Sequence, residues 1–516
     1  MRAVIHCLAL APLLVLAGCG TVHYSSPPVT DGGALSPSDS NRAEAMAHYS
    51  QALISEVTLG EALSSQAHFR KASECDPVNF LLAVKVAVDF IGRKDYTGAV
   101  TVLERTVPYH PDSLELQLLL GTALQGMGHL DEAKSSFSSA LRLAPDRHEG
   151  YVRLGVLHVL QGKPRKALHV VDSGLSRVKD TAPIVEFCVN VGQIYLAGGE
   201  AGNAIPFVER AYRSNPGSDA LRELLGRCYA ADGRTRAAIA EFSALSEKEP
   251  KNSAYAYLLG MQYERQEQWG QAQEAFKRAI RGGAPDPEAW FRLATLQIEK
   301  EPDAALATLK AWRKSCPADL KSYVFMALLY VQLERYEDAL AQFEWVEKEM
   351  EQDEAAAKTI QPLFYFWYGE VCDKAGRRAD AERILKKYLS LCPDSPQALN
   401  ALAYLWAERG RYLDQGLEYI TQALKAEPDN GAYLDTLGWI CYKRGDFSEA
   451  LLHLTRAVRM EGKDPVILDH LGDVLARLGR QDKAVRMWRK SLACDPGQKA
   501  VREKLIQAGV DKRKLP

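Results

Sequence analysis

Three observations predict an all-α chain of stacked helix pairs. A small residue recurs every 34 residues or so, at Gly121, Gly155, Gly192, Gly226, Gly260, Ala294, Ala327, Gly369, Ala403, Gly438 and Gly472. A second follows twelve places after most of these, at Ala133, Ala167, Ala204, Ala238, Ala272, Ala339, Ala381, Ala450 and Ala484. About twelve residues further on, a proline closes many periods: Pro145, Pro216, Pro250, Pro393 and Pro496. Such a period marks an array of supersecondary units, an architecture for binding far more often than for catalysis. Of the 516 residues, 47% are hydrophobic, which suits a helical protein with a continuous core.

Residues 1–18 read as a lipoprotein signal peptide. Arg2 gives a positive start, and Cys7 to Leu16 form an apolar run too short to span a bilayer. The tetrapeptide Leu16-Ala17-Gly18-Cys19 that follows resembles a bacterial lipobox. The resemblance implies that Cys19 becomes the lipidated N-terminus, and Gly20 in place of Asp implies sorting to the periplasmic side of the outer membrane. The other reading is an ordinary secretory signal with an incidental Cys. Acyl chains bury CH₂ groups at roughly 0.8 kcal/mol apiece, so several of them anchor the chain stably in the lipid bilayer. Residues 19–45 then form a flexible tether, because Gly20 to Asn41 is rich in Ser, Pro and Gly. About 22 flexible residues reach roughly 25 Å.

The repeats follow as 46–353 and 362–498. In the unit Pro465 to Gln498, Leu468, Leu471, Gly472 and Leu475 lie at helical spacing and make one apolar face. Gly479 tolerates the left-handed cap that ends this first helix. Ala484, Trp488 and Ser491 repeat the spacing on a second helix, and Pro496 stops it. Gly472 and Ala484 are small because the two helices cross there.

This pattern of Leu-Gly, Ala, a bulky residue and Pro resembles the tetratricopeptide repeat (TPR). The resemblance implies a right-handed superhelical α-solenoid of about thirteen units: 46–79, 80–113, 114–147, 148–181, 185–218, 219–252, 253–286, 287–319, 320–353, 362–395, 396–430, 431–464 and 465–498. The first two are degenerate, keeping Phe69, Ala72 and Pro77, then Ala99 and Pro111, without the glycine of the first helix. Residues 499–516 read as a polar capping helix, which an open-ended array needs for solubility. The phase slips twice. Extra residues at Thr181 to Ile184 read as a longer loop, and 354–361, in an acidic Ala-rich stretch, as an insertion that extends a second helix by about two turns into a joint.

Chemistry is sparse. The sequence holds no GxxxxGK loop, HExxH pair, GxSxG elbow, CxxC or Cys/His cluster, so no enzyme activity, cofactor or metal is expected. With 64 basic and 66 acidic residues and a formal charge of −2, no nucleic-acid partner is expected either. The eight cysteines beyond Cys19 are scattered; they read as small buried hydrophobes, with Cys372 and Cys392 the pair to check for a disulfide.

In the family this chain resembles, the inner face is built mostly by the first helix of each unit. Those positions carry Tyr257, Phe291, Phe325, Phe366, Trp367, Tyr404, Trp439 and Tyr442, whereas the N-terminal part offers Leu118, Val152, Arg153, Asn190, Gln193, Glu223 and Arg227. Aromatics recurring on a concave face suggest a groove for partner proteins or extended peptide segments. The other reading is that the rings pack between repeats. The family's Lys/Asn carboxylate clamp is replaced here by Asp435, Asp469 and Asp473 with Trp439, which reads either as an acidic end for a basic partner or as solvated carboxylates. The last hundred or so residues also resemble the repeats of bacterial outer-membrane TPR lipoproteins, one branch of which brings substrates to a periplasmic processing protease. The resemblance implies a non-enzymatic adaptor or scaffold in the cell envelope; the alternative is an assembly factor for an outer-membrane, pilus, secretion or polysaccharide-export complex.

Overall fold

A computed structural model describes residues 36–58, 62–282 and 287–514. The expected signal peptide, Cys19 and most of the tether lie outside the described residues. The described residues are helical throughout, without a strand, and no helix among them is long and apolar enough to cross a membrane.

Each of the thirteen expected units is a pair of helices, from Pro37–Thr58 with Ala62–Cys75 to Pro465–Arg477 with Gln481–Cys494. Side chains start the first helix of many pairs: Ser113 accepts from the Leu116 N–H, Ser218 from Leu221, Asn430 from Tyr433, and Asp464 from Val466 and Ile467. These caps satisfy amides that the helix itself leaves without partners. A left-handed residue ends the first helix or its turn, as at Gly445 with φ 90° and Gly479 with φ 72°.

Within a pair, the crossing is as close as the sequence predicts. A Cβ on Gly121 would lie 2.5 Å from the Phe137 ring and one on Gly226 2.8 Å from the Phe242 ring, and both rings are fully buried. Within each of the chain's two compact units, the second helix of one pair packs on the first helix of the next, and first helices of neighbouring pairs also touch, as His148–Leu160 does Ala182–Ala197 and Pro396–Glu408 does Gly431–Arg444. The first helices thereby share a face.

The chain divides into two compact units, Met1–Gly283 and Ala284–Pro516. In the first, Leu116, Leu120, Phe137 and Leu157 belong to one hydrophobic cluster, and Val171, Phe187, Val208 and Leu225 to the next. The second ends in a cluster of Leu454, Leu475, Trp488 and Leu492, which Val501 and Leu505 of the terminal helix Lys499–Gln507 complete.

Three local expectations change. The first helix starts at Pro37, inside the segment expected as tether, because Ser36 Oγ accepts the Asp39 N–H at 3.1 Å and Pro37 fits the first helical position. The extra residues at 181–184 join a helix rather than a loop: Ala182–Ala197 is 16 residues long, with Pro183 near its start. The helix Tyr336–Gln352 is 17 residues long and stops where Asp353 Oδ1 accepts the Ala355 N–H at 2.8 Å, starting a separate short helix, Glu354–Ala357. It is therefore extended by less than a turn relative to its 14-residue counterparts.

Candidate partner-binding face

Tyr257, the expected site residue in the first compact unit, is half-buried, with its ring 5.9 Å from Phe276 of its own second helix. The remaining ten lie in the second unit, on first helices.

Phe291 and Phe325 are half-buried and pack against each other across neighbouring pairs at 4.6 Å between centroids. Phe366 is half-buried against Tyr388 at 6.1 Å, and its neighbour Trp367 points outward, 42% exposed and edge-on to Phe366 at 5.4 Å. Leu363, one turn before, is also 42% exposed. The helix Leu363–Lys374 thus offers a rigid ring and an aliphatic group to solvent, the kind of anchor that supplies contact area at low entropic cost. Nearby, burial pushes the carboxyls of Glu370 and Asp373 up from their usual range.

The structure gathers Tyr404, Asp435, Trp439 and Tyr442 around a residue that the sequence reading missed, His470. Trp439 is 6% exposed and sandwiched, with Tyr442 at 4.7 Å and 3° on one side and His470 at 3.8 Å and 13° on the other. Its indole N–H donates to Glu408 Oε1 at 2.6 Å, and Lys443 Nζ sits 4.7 Å over its ring. His470 Nδ1 donates to both oxygens of Asp435, at 2.9 and 3.0 Å. Burial alone would lower the His470 pKa; the carboxylates of Asp435, then Asp469 and Glu408, outweigh it and hold the imidazole above its ordinary value. Tyr404 lies 6.2 Å from the same ring, its phenol pushed up by burial and by Glu408 and Asp435. Asp435 is 4% exposed, so this carboxylate clasps consecutive first helices together rather than facing solvent. The legible signal was spacing: Asp435 and His470 are 35 residues apart, one repeat, on helices that share a face.

Asp469 and Asp473 are likewise engaged from within. Lys504 of the terminal helix reaches Asp469 at 2.8 and 2.9 Å and Asp473 at 2.7 Å, and the Trp488 indole donates to Asp473 at 3.1 Å. Burial opposes the Lys504 charge, and the two carboxylates reverse that and raise its pKa. Burial and the neighbouring Asp473 raise Asp469 even so. A lysine of the chain itself thus meets these carboxylates, which are neither solvated nor left open to a basic partner.

The described cysteines are all free, including Cys372 and Cys392. Burial pushes the Cys188 and Cys372 thiols up to about 12, the state of inert core thiols, while Cys75, Cys316 and Cys392 are half-buried and Cys494 is exposed.

Tetratricopeptide-repeat family models match residues 118–175, 195–261 and 264–495. The chain is a tetratricopeptide repeat protein. Its repeats are those of a protein-interaction scaffold, a family generally without catalysis. The chain is similar to TPR repeat-containing protein PA4667 of Pseudomonas aeruginosa, 34% identical over 103 residues, 20% of this chain and 17% of that one. It is also similar to cellulose synthase operon protein C of Escherichia coli K12, 26% identical over 234 residues, 44% of this chain and 18% of that one. It thus spans less than a fifth of the length of these two relatives. TPR repeat-containing protein YpiA of Bacillus subtilis is 22% identical over 370 residues, 64% of this chain and 83% of that one. Among solved structures, the APC/C hetero-tetramer Cut9-Hcn1 matches 92% of this TPR chain and 96% of that one at 14% identity and a TM-score of 0.39.

Proposed function

We propose that this TPR protein is a non-enzymatic scaffold of the cell envelope, anchored by lipid on Cys19 at the periplasmic side of the outer membrane. In this reading it holds extended segments of partner proteins and delivers them to a periplasmic protease. The observation that carries the binding part is the exposed pair Leu363 and Trp367 on a first helix of the second compact unit, beside the half-buried Phe366. The lipobox-like Leu16-Ala17-Gly18-Cys19 supports the anchor. A second reading, assembly of a polysaccharide-export or other envelope complex, is favoured by the similarity to cellulose synthase operon protein C over 44% of the chain.

Affinity capture from detergent-solubilised membranes tests both. Trp367→Ala is expected to weaken capture about tenfold or more with helical content unchanged, since truncating a central ring costs upward of about 1–2 kcal/mol. Trp439 is unsuitable for this test, because its ring is core. Co-capture of a protease together with its substrate supports the adaptor reading, and an integral barrel or secretin the assembly reading. Undiminished capture by Trp367→Ala removes the proposed face, and a Cys19→Ala form that stays membrane-bound removes the anchor.

A further inference from the structure

The first helical hairpin brings together side chains that the sequence holds apart. Glu44 and His48 lie one turn apart on Pro37–Thr58, with His48 Nε2 4.0 Å from Glu44 Oε1. His68 and Cys75 lie seven residues, two turns, apart on Ala62–Cys75 and so share a face. Across the seam, His48 Nδ1 is 3.3 Å from His68 Nδ1. Ligand atoms of Glu44, His48 and Cys75 all lie within 4.8 Å of one another, the one such group among the described residues.

We propose that Glu44, His48 and Cys75 form a zinc site that staples the first hairpin of the array, with His68 holding the His48 ring from its other nitrogen.

The donor set is a thiolate, an imidazole and a carboxylate, with the fourth position open to solvent, which suits a borderline-soft, tetrahedral dication. His48 turns Nε2 toward Glu44 and Nδ1 toward His68, so one ring nitrogen is left for a metal while a hydrogen bond between the imidazoles fixes the other. Zinc would take the thiolate, and the thiol proton leaves to solvent.

The hairpin has a structural use for such a link. Its seam is lined by Ala45, Ala52, Ala72, Ser65 and Ser73, with Phe69 as its large buried side chain. The Ser65 and Ser73 hydroxyls and that of Tyr49 are buried without a hydrogen-bond partner. The first repeat lacks the ring-on-glycine crossing made at Gly121, Gly226, Gly260 and Gly472, and a metal bound in the folded state alone stabilises it by linkage.

The test is competitive titration of zinc against a chromophoric chelator, using the intact chain purified in detergent under reducing conditions, with cobalt(II) as spectroscopic probe. Wild type is expected to take up a tightly held metal and to show a thiolate-to-cobalt charge-transfer band. Cys75→Ser should lose that band and, like His48→Gln, bind more than about 100-fold more weakly; His68→Gln and the exposed-site variant Glu44→Gln should lose about 10–100-fold. Zinc should also slow amide exchange in the hairpin formed by Pro37–Thr58 and Ala62–Cys75 and leave the later repeats unchanged. Retention of the band in Cys75→Ser, or equal affinity in wild type and Glu44→Gln, overturns the site.

Discussion

The first hairpin and the last repeat carry the same two-helix plan with different interiors. In Pro37–Thr58 and Ala62–Cys75 the seam is mostly alanine and serine, and three buried hydroxyls find no partner. In Pro465–Arg477 and Gln481–Cys494, Leu471, Leu475 and Leu492 cluster with Trp488, whose ring lies over Gly472, and each carboxylate on the inner face meets a donor. A repeat is thus self-sufficient when a small residue admits a large ring and every buried polar group is matched. Where the ring and glycine are missing, stability has to come from another source.

The largest expected effect lies in the matched end. Asp435→Ala strips His470 of its carboxylate inside a seam where both side chains are 6% exposed, and should cost about 3–5 kcal/mol in the C-terminal repeats. The pair also sets a pH dependence. The folded pKa of His470 lies above its unfolded value of about 6.5, so the folded state binds the extra proton. The pair's stabilisation is complete below that unfolded value and is lost as pH rises through the folded one. Amide exchange in Gly431–Arg444 and Pro465–Arg477 should therefore quicken with rising pH beyond the intrinsic trend, and that excess should vanish in Asp435→Asn. A pH-independent opening free energy in wild type would break the contrast at its strongest point.

A second, smaller effect separates the two seams directly. Gly472→Val drives a branched side chain into the Trp488 indole and should destabilise the last repeat by about 1–3 kcal/mol. Ser65→Ala, which removes an unmatched hydroxyl from the first hairpin, should leave stability equal or raise it by about 1 kcal/mol. Segment-resolved hydrogen exchange reads both, since an array of repeats does not unfold in one step. Equal losses in the two variants would mean that the interiors differ in composition and not in tolerance.

Much of this architecture was legible in the sequence because it depends on local periodicity. Gly121, Gly226 and Gly472 announced the crossings, and Gly479 its left-handed turn. The two phase slips were visible as slips. Their outcome was not, because Asp353 and Pro183 decide locally whether extra residues cap a helix or join one. The candidate face was less legible. Helical position places Trp367 and Trp439 on the same side of first helices, yet one is 42% and the other 6% exposed. What separates them is His470, one repeat further along, whose ring covers Trp439. The cluster of Glu44, His48, His68 and Cys75 was invisible for a related reason: its donors come from two helices at spacings that match no linear metal motif.

The smallest effect sharpens what closing the matched end means. Lys504 neutralises Asp469 and Asp473 from the terminal helix, and its side chain is 28% exposed, so the ion pairs are partly screened. Lys504→Ala should cost about 1–2 kcal/mol, less than the loss of Asp435, because solvent can reach the carboxylates left behind. Without the ammonium group, repulsion from Asp473 acts on Asp469 with His470 alone opposing it, so the Asp469 pKa should rise further above its ordinary value. Carboxyl titration by NMR checks that direction. The same variant should gain affinity for a short oligolysine probe, with a steep salt dependence, since it uncovers the acidic pair that the terminal helix covers. If Lys504→Ala gains no such affinity and the Asp469 pKa does not move, the lysine is an ordinary surface group. The last repeat would then be closed by the apolar contacts of Val501 and Leu505 alone.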